Sequence, residues 1–321
     1  MIPIRYDKTV NAKYEDCVKK FRKDIDAWLT RGYVGYKIKG KTPYKIDRIT
    51  KSFFLYIANL MDHNAYWDMS TTELRDFKDQ VENDNNFKQI LNRNSRFYKV
   101  VKHAFVQIGY TSNLNKGAFI EAVGADVCPY CNRTFIKNVK TSKGEVKGEL
   151  DHFISKDDAP YLALCRYNLV PSCPFCNHGK SNAYNPALVS PYDLSDADGI
   201  HFKMDITGKR FTSMDHCASA ITITVEDKGG MGANIADFHL QELYKGHADY
   251  AAEIYYKGRL KLHRIYRACV KSILGVQGNK VTSEDLDRMY LGLYNEDNFN
   301  KRPLSKYMHD LAVNEGIIDE K

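Results

Sequence analysis

The 321-residue sequence predicts an α+β fold, mostly helical, with a small cysteine-stapled module set between helical N- and C-terminal regions. Three observations predict it. Apolar residues recur at helical spacing through much of residues 11–112 and again from about residue 235 to residue 274. Two stretches, 200–206 and 221–225, alternate apolar and polar residues as strands do. Between the first helical region and these two stretches lie two C-x-x-C pairs of the same form, Cys128-Pro-Tyr-Cys131 and Cys173-Pro-Phe-Cys176. The division expected along the chain is 1–112, 113–190 and 191–321.

In the first region, Phe53, Phe54, Tyr56, Ile57, Leu60 and Met61 read as the buried stripe of one helix. Ser70-Thr-Thr-Glu73 is a capping-box signature for the next, and Tyr98 to Ile108 continues the helical pattern. Residues 1–110 hold 21 Lys+Arg against 13 Asp+Glu, densest over residues 36–51, where six cations and two tyrosines accompany one acid. Such a run either tracks a phosphate backbone or is a solvated loop leading into an amphipathic helix. A short helix from Asn115 through Phe119, Ile120 and Val123 delivers the chain to Gly124 and the first cysteine pair.

Each C-x-x-C puts two thiolates on one tight turn, and two such turns complete a tetrahedral zinc site. A zinc held by Cys128, Cys131, Cys173 and Cys176 has no open position, so its expected role is structural. The 41 residues between Cys131 and Cys173 leave room for an inserted hairpin and helix. Lys140–Glu145 reads as a hairpin tip, Gly148–Ile154 as a short strand, and Asp157–Pro160 as the start of a helix carrying Tyr161, Leu162 and Leu164. The other cysteines, Cys17, Cys165, Cys217 and Cys269, are expected to be buried free thiols in a reducing compartment.

The insert carries the chemistry. Asp151 offers a hard oxygen ligand for Mg²⁺ or Mn²⁺. His152 has a near-neutral pKa and can take a proton from an attacking water. Phosphodiester hydrolysis needs both a cation at the phosphate oxygens and a base for the nucleophile. Asn168 sits where an amide could hold two backbone segments together and orient His152. Asn177-His178-Gly179-Lys180 supplies a second metal ligand and a cation for phosphate, and Glu149 lies on the same strand face as Asp151. Lys180 and Arg166 are candidates to offset transition-state charge. Arg133, Lys137, Lys140, Lys143 and Lys147 form a basic strip read as phosphate contacts.

These residues resemble the HNH endonuclease family, also described as the ββα-metal or His-Me finger fold. The match runs over Cys128-x-x-Cys131, Leu150-Asp151-His152-Phe153-Ile154, Asn168-Leu169-Val170 and Cys173-x-x-Cys176-Asn177-x-x-Lys180, roughly residues 124–185. The resemblance implies a zinc-stapled ββα-metal finger inserted between the helical regions. It further implies His152 as general base, Asp151 as ligand of the catalytic metal, Asn168 as the residue orienting the base, and Asn177 as second metal ligand. Asn177 stands where the family often has His, and its neighbour His178 is the alternative ligand. The phrasing Tyr-Asn-Leu-Val-Pro-Ser-Cys, followed by Lys180-Ser-Asn and Asn185-Pro-Ala-Leu, is similar to Septu-type HNH effectors of anti-phage defence, which work beside an ATPase subunit.

Past residue 190, the two alternating stretches with a turn at Asp227–Gly230 precede a long helical stretch with Phe238, Leu240, Leu243, Tyr244, Ile254, Leu260 and Ile265. Thr282 opens a final helix. Histidines 239, 247 and 263 show no ligand pattern, and no nucleotide-binding loop occurs, so ATPase activity would belong to a partner. A net charge of +7 suits a polyanionic partner. With no membrane-length apolar run and no signal-peptide core, a cytoplasmic protein is expected. The leading expectation is an HNH endonuclease acting on nucleic acid, DNA ahead of RNA. Two other readings stay open: a non-catalytic zinc module binding nucleic acid or protein, and a partner-gated nuclease of RNA such as tRNA.

Overall fold

The computed structural model describes residues 1–5, 12–35, 44–63, 66–142, 144–146, 148–180, 185–195, 199–208, 211, 213–259, 262–276, 282–292 and 296–318. The basic stretch at 36–43 and the cations Lys143 and Lys147 lie outside the described residues. The chain forms a mixed α/β, mostly helical structure with small two-stranded sheets. It folds as two compact units, residues 5–124 with 137–186, and residues 1–4 with 125–136 and 187–321, so the segment 113–190 contributes to both.

The first unit begins with helix α1 (Ala12–Arg31), a two-residue strand pair β1 (Tyr33–Val34) and β2 (Tyr44–Lys45), and helix α2 (Arg48–Asp62). Helix α3 (Thr71–Asn83) opens on the expected capping box, with Ser70 and Glu73 exchanging hydrogen bonds. Helix α4 (Arg96–Lys102) continues into a π-helical run, His103–Asn113, before helix α5 (Lys116–Val123), which Gly124 ends in a left-handed turn at φ 72°. Phe53, Phe54, Ile57 and Met61 of α2 are buried. Their neighbours are aromatic: Phe53 meets Phe97 and Tyr161 edge-on, and Phe21 packs on Phe105 at 5.0 Å between ring centroids. Edge-to-face rings of this kind fill space with defined geometry. Gly109 lets the π-helical run approach closely, because a Cβ there would lie 2.6 Å from Leu164 and 3.0 Å from Phe21.

That aromatic core grips the segment leading to Asn168. Tyr14 donates its hydroxyl to the Leu164 carbonyl at 2.7 Å, Tyr66 donates to the Tyr161 carbonyl, and the Arg166 amide donates to the Trp67 carbonyl at 3.0 Å. The helix expected from Pro160 is instead a 3-10 turn, Pro160–Leu162, followed by a second over Arg166–Asn168. These side-chain donors satisfy carbonyls that a longer helix would have satisfied itself. A hairpin, β3 (Val139–Thr141) with β4 (Gly144–Val146), precedes β5 (Glu149–His152). Strand β5 pairs antiparallel with β6 (Leu169–Ser172), setting Asp151 opposite Val170 and His152 opposite Leu169. Helix α6 (Pro174–Gly179) follows, with Pro174 at its first position, where a missing N–H costs nothing.

The second unit is built on the hairpin of β7 (Ile200–Ile206) and β8 (Ile221–Asp227), with α7 (Met214–Ser219) between its strands. The long helix expected from 235 to 274 is broken into α8 (Gly232–Asp237), α9 (Leu240–Lys245), α10 (Ala248–Arg259) and α11 (Leu262–Val276). His239 adopts φ 50°, a left-handed value that ends one helix and starts the next. Helix α12 (Ser283–Leu291) and a 3-10 turn, Glu296–Lys301, lead to α13 (Ser305–Asn314). Helix α13 is pinned to β7: Asp310 accepts from the Phe202 amide at 3.1 Å, and Asn314 donates to the Phe202 carbonyl at 2.9 Å. No helix among the described residues is long and apolar enough to cross a membrane.

Candidate functional site

The cysteines come together. The sulfurs of Cys128, Cys131, Cys173 and Cys176 all lie within 4.8 Å of one another, and all four residues are buried. A tetrahedral zinc with Zn–S near 2.3 Å holds its sulfurs about 3.8 Å apart, so this donor set fits that ion. The four could hold zinc as thiolates in a closed, structural site.

The two knuckles are built differently. Around Cys128 and Cys131 the chain turns back on itself, with Val127 bridged to Phe135, the Cys128 amide donating to Thr134 and the Asn132 amide to Cys128. Asn132 completes the turn at φ 50°. Its amide is a hub: Nδ2 donates to the Phe299 carbonyl at 2.8 Å, and Oδ1 accepts from the Lys306 amide at 3.1 Å. Tyr244 donates to the Cys131 carbonyl at 2.5 Å. At the other knuckle, Cys173 is the N-cap of α6, its sulfur accepting from the Cys176 amide at 3.4 Å. Of the remaining cysteines, Cys17, Cys165 and Cys217 are buried, and burial pushes the Cys17 thiol up to about 11. Cys269 is exposed, contrary to expectation.

Asp151 and His152 sit at the end of β5, both buried. The His152 Nε2 lies 3.2 Å from the Ala163 carbonyl. A carbonyl only accepts, so Nε2 carries the proton and Nδ1 is the basic nitrogen. Burial, with the charges of Lys156, Lys180 and Lys116, holds the imidazole well below its ordinary pKa, hence neutral at pH 7. Asn168, fully buried, fastens the chain beyond His152: Oδ1 accepts from the Ile154 amide at 2.7 Å, and Nδ2 donates to the Ile154 and Leu162 carbonyls at 3.1 and 3.0 Å.

On α6, Asn177 donates to Glu149 Oε2 at 2.5 Å, and the exposed His178 ring lies 3.4 Å from the same oxygen. Glu149, rather than Asp151, is thus the carboxylate these two side chains are seen to meet. Asp151 Oδ2 is 2.8 Å from the ammonium of Lys180.

The cations expected to contact phosphate divide into two groups. Lys180 is buried, donating to the His152 carbonyl at 2.6 Å and the Phe153 carbonyl at 3.1 Å besides its ion pair with Asp151. Arg166 is also buried, paired with Asp68 at 3.1 Å and lying over the Tyr14 ring. In this structure both cations brace the fold, because a buried charge needs its partners close. Arg133 is half-buried and donates to His247 Nε2 at 2.8 Å, while Lys137 is exposed.

Sequence reasoning overlooked Tyr110. Its ring packs edge-on against His152 with centroids 4.4 Å apart, and its hydroxyl is 3.2 Å from the Leu150 carbonyl. Burial and the charges of Asp151 and Glu149 raise its pKa. The ammonium groups of Lys116 and Lys156 lie 4.2 and 5.5 Å from the same ring centre. None of the three belongs to a motif; the one signal in the sequence is that Lys156 falls four residues after His152. Compared with known proteins, the chain matches no family model, no curated protein and no solved structure.

Proposed function

We propose that this chain is an HNH-type, divalent-metal-dependent endonuclease hydrolysing phosphodiester bonds of nucleic acid, DNA ahead of RNA. The observation that carries the reading is the hold on His152: a neutral imidazole whose Nε2 is committed to the Ala163 carbonyl, leaving Nδ1 as base. Asn168 supports it by locking the backbone immediately after that residue, and the order β5, β6, α6 supports the ββα-metal arrangement.

In this mechanism His152 Nδ1 takes the proton of the attacking water. Tyr110 limits rotation of the imidazole by packing on its edge. Asp151 and the side-chain oxygen of Asn177 would hold Mg²⁺ or Mn²⁺, with Glu149 and His178 beside Asn177; carboxylate and amide oxygens are the hard donors these ions prefer. Such an ion supplies charge neutralisation at the phosphate and at the leaving 3′-oxygen. Lys180 holds the Asp151 carboxylate in place through its ion pair at 2.8 Å.

The test is cleavage of plasmid, single-stranded DNA and total tRNA with Mg²⁺ or Mn²⁺, comparing wild type with His152→Ala at matched zinc content. Wild-type cleavage lost by at least 100-fold in the variant is expected, since a positioned base contributes about 10²–10⁴. Equal activity in both proteins would remove His152 as base. Silence of wild type that is relieved by an ATPase partner would give the partner-gated form of the same reading. Silence under every condition would leave the zinc-binding module.

A further inference from the structure

The described part of the basic run over residues 36–51 begins with Tyr44, an aromatic that is 41% exposed. We propose that Tyr44, stacked on His103 and flanked by Lys45, Arg96 and Lys99, is a platform for an unpaired base of single-stranded nucleic acid. The three cations take the backbone phosphates on either side of that base. The proposal deepens the nuclease reading by naming the form of the strand, and rests on it only for that strand's being cleaved.

The platform is built from two segments locked to each other. Strand β2 fixes Tyr44 and Lys45 by pairing with Val34 and Tyr33, and the Ile46 amide donates to the Gly32 carbonyl at 2.9 Å. Helix α4 and its C-cap His103 meet that strand twice. Exposed Arg96 donates to the Lys45 carbonyl at 3.0 Å. At the other end, the His103 ring lies nearly parallel to Tyr44, with centroids 4.2 Å and planes 19° apart. Lys99 comes three residues after Arg96 and four before His103, so it shares their helix face, and it is exposed there. The imidazole is backed by Gly35 at φ 76°, where a Cβ would lie 3.2 Å from Nε2. Half-buried, His103 is held below its ordinary pKa by desolvation and is neutral at pH 7. The ring pair therefore offers π surface and its neighbours the charge. Asp47, the one acid in residues 44–51, is turned to the Thr50 amide as the N-cap of α2. An exposed ring with its back fixed and cations alongside suits an unpaired strand, because every base has a π face and cations follow the backbone.

A purely structural role for Tyr44 would be to cover His103, for which the bases of a strand are irrelevant. Removing the bases separates the two. Binding of fluorescent oligonucleotides would be measured with zinc retained and no Mg²⁺ or Mn²⁺ added. The probes are a single strand, as DNA and as RNA of one sequence, the DNA strand with abasic sites throughout, and the DNA duplex. The proteins are wild type, Tyr44→Ala, Tyr44→Trp and K45Q/K99Q, with melting temperature as the control. Tyr44→Ala should weaken single-strand binding by about 5- to 150-fold, with little change for the duplex or the abasic strand and recovery in Tyr44→Trp. K45Q/K99Q should make the single-strand slope of log K against log salt shallower by about 1.4, while Tyr44→Ala leaves that slope as it is. Whichever single strand loses affinity in Tyr44→Ala names the sugar of the nucleic acid held.

Equal binding of wild type to the intact and the abasic strand overturns the platform without any variant having to fold. Unchanged single-strand affinity in Tyr44→Ala does the same, and an unchanged slope in K45Q/K99Q overturns the assignment of its charge. Cleavage by the same wild-type preparation, once Mn²⁺ is added, would show the nuclease reading surviving these results. Weakened binding in Tyr44→Ala with no cleavage under any condition keeps the platform and removes the nuclease. Absence of oligonucleotide binding by wild type overturns the platform outright. If Tyr44→Ala melts early, Tyr44→Leu, which keeps an apolar cover over His103, replaces it with the same loss expected.

Discussion

The two knuckles share the form Cys-Pro-aromatic-Cys, yet their aromatic residues end in opposite places. Tyr130 is completely buried and stacks on Phe238 at 4.2 Å with 23° between planes, whereas Phe175 is 60% exposed. The difference follows from the backbone. The first knuckle folds back as a turn closed by left-handed Asn132, with Phe238 packed on its aromatic. The second is the first turn of α6, capped by Cys173, and its aromatic projects from a six-residue helix. A shared spacing of ligands thus says which atoms gather, and the residues that follow the second cysteine decide what the knuckle rests against.

The comparison can be broken most severely at the sulfurs. Cys131→Ser and Cys176→Ser should each abolish stoichiometric zinc, measured by elemental analysis, and unfold the region around both knuckles, because structural zinc contributes about 10–16 kcal/mol in small zinc-dependent folds. A variant of either knuckle that kept full zinc and wild-type melting would show that the two do not share one ion. Next in size is the aromatic pair. Tyr130→Ala should cost about 3–5 kcal/mol in denaturant unfolding, as large aromatic truncations in a core do, while Phe175→Ala should stay within about 0.5 kcal/mol. Similar losses at both positions would mean that the second aromatic is also covered.

The smallest expected effect is one of pH, and it belongs to the first knuckle alone. His247 accepts from Arg133, two residues past Cys131, and burial together with the Arg133 charge holds its pKa below 6.5. The unfolded chain therefore takes up a proton first as pH falls through 6.5, and stability present above that value is lost below it. Melting followed from pH 7.5 to 5.5 should fall further for wild type than for His247→Gln. Parallel curves would mean the Arg133–His247 contact does not sense protonation.

Much of the architecture was legible from local chemistry. The cysteine pairs, the Ser70 capping box, the β7–β8 alternation and the end of α5 at Gly124 each depend on a few adjacent residues, so pattern alone reaches them. The break at His239 was not legible: histidine carries no strong turn signal, and the apolar spacing runs through it. Burial of Lys180 and Arg166 was equally hidden, since lysine and arginine are mostly exposed and the acids that neutralise them, Asp151 and Asp68, are distant in sequence. Tyr110 escaped for the same reason, being linked to His152 by folding and by nothing in the intervening 41 residues.

The latch made by Asn168 has a consequence for how this protein can vary. One side chain both accepts from and donates to the backbone of Ile154, standing in for the strand neighbour that Ile154 lacks once β5 and β6 part. The excursion from residue 155 to residue 167 is thereby closed into a ring at its base, independently of what lies along it. The entropy of closing such a ring grows only with the logarithm of its length, so residues added far from Ala163 would weaken it little. A carboxylate at the latch is another matter: it has no N–H to offer, so the Ile154 carbonyl would lose the Asn168 donor and the Leu162 carbonyl would be left with the Cys165 amide. Length is therefore the free variable of this excursion, and the amide at its neck is the fixed one.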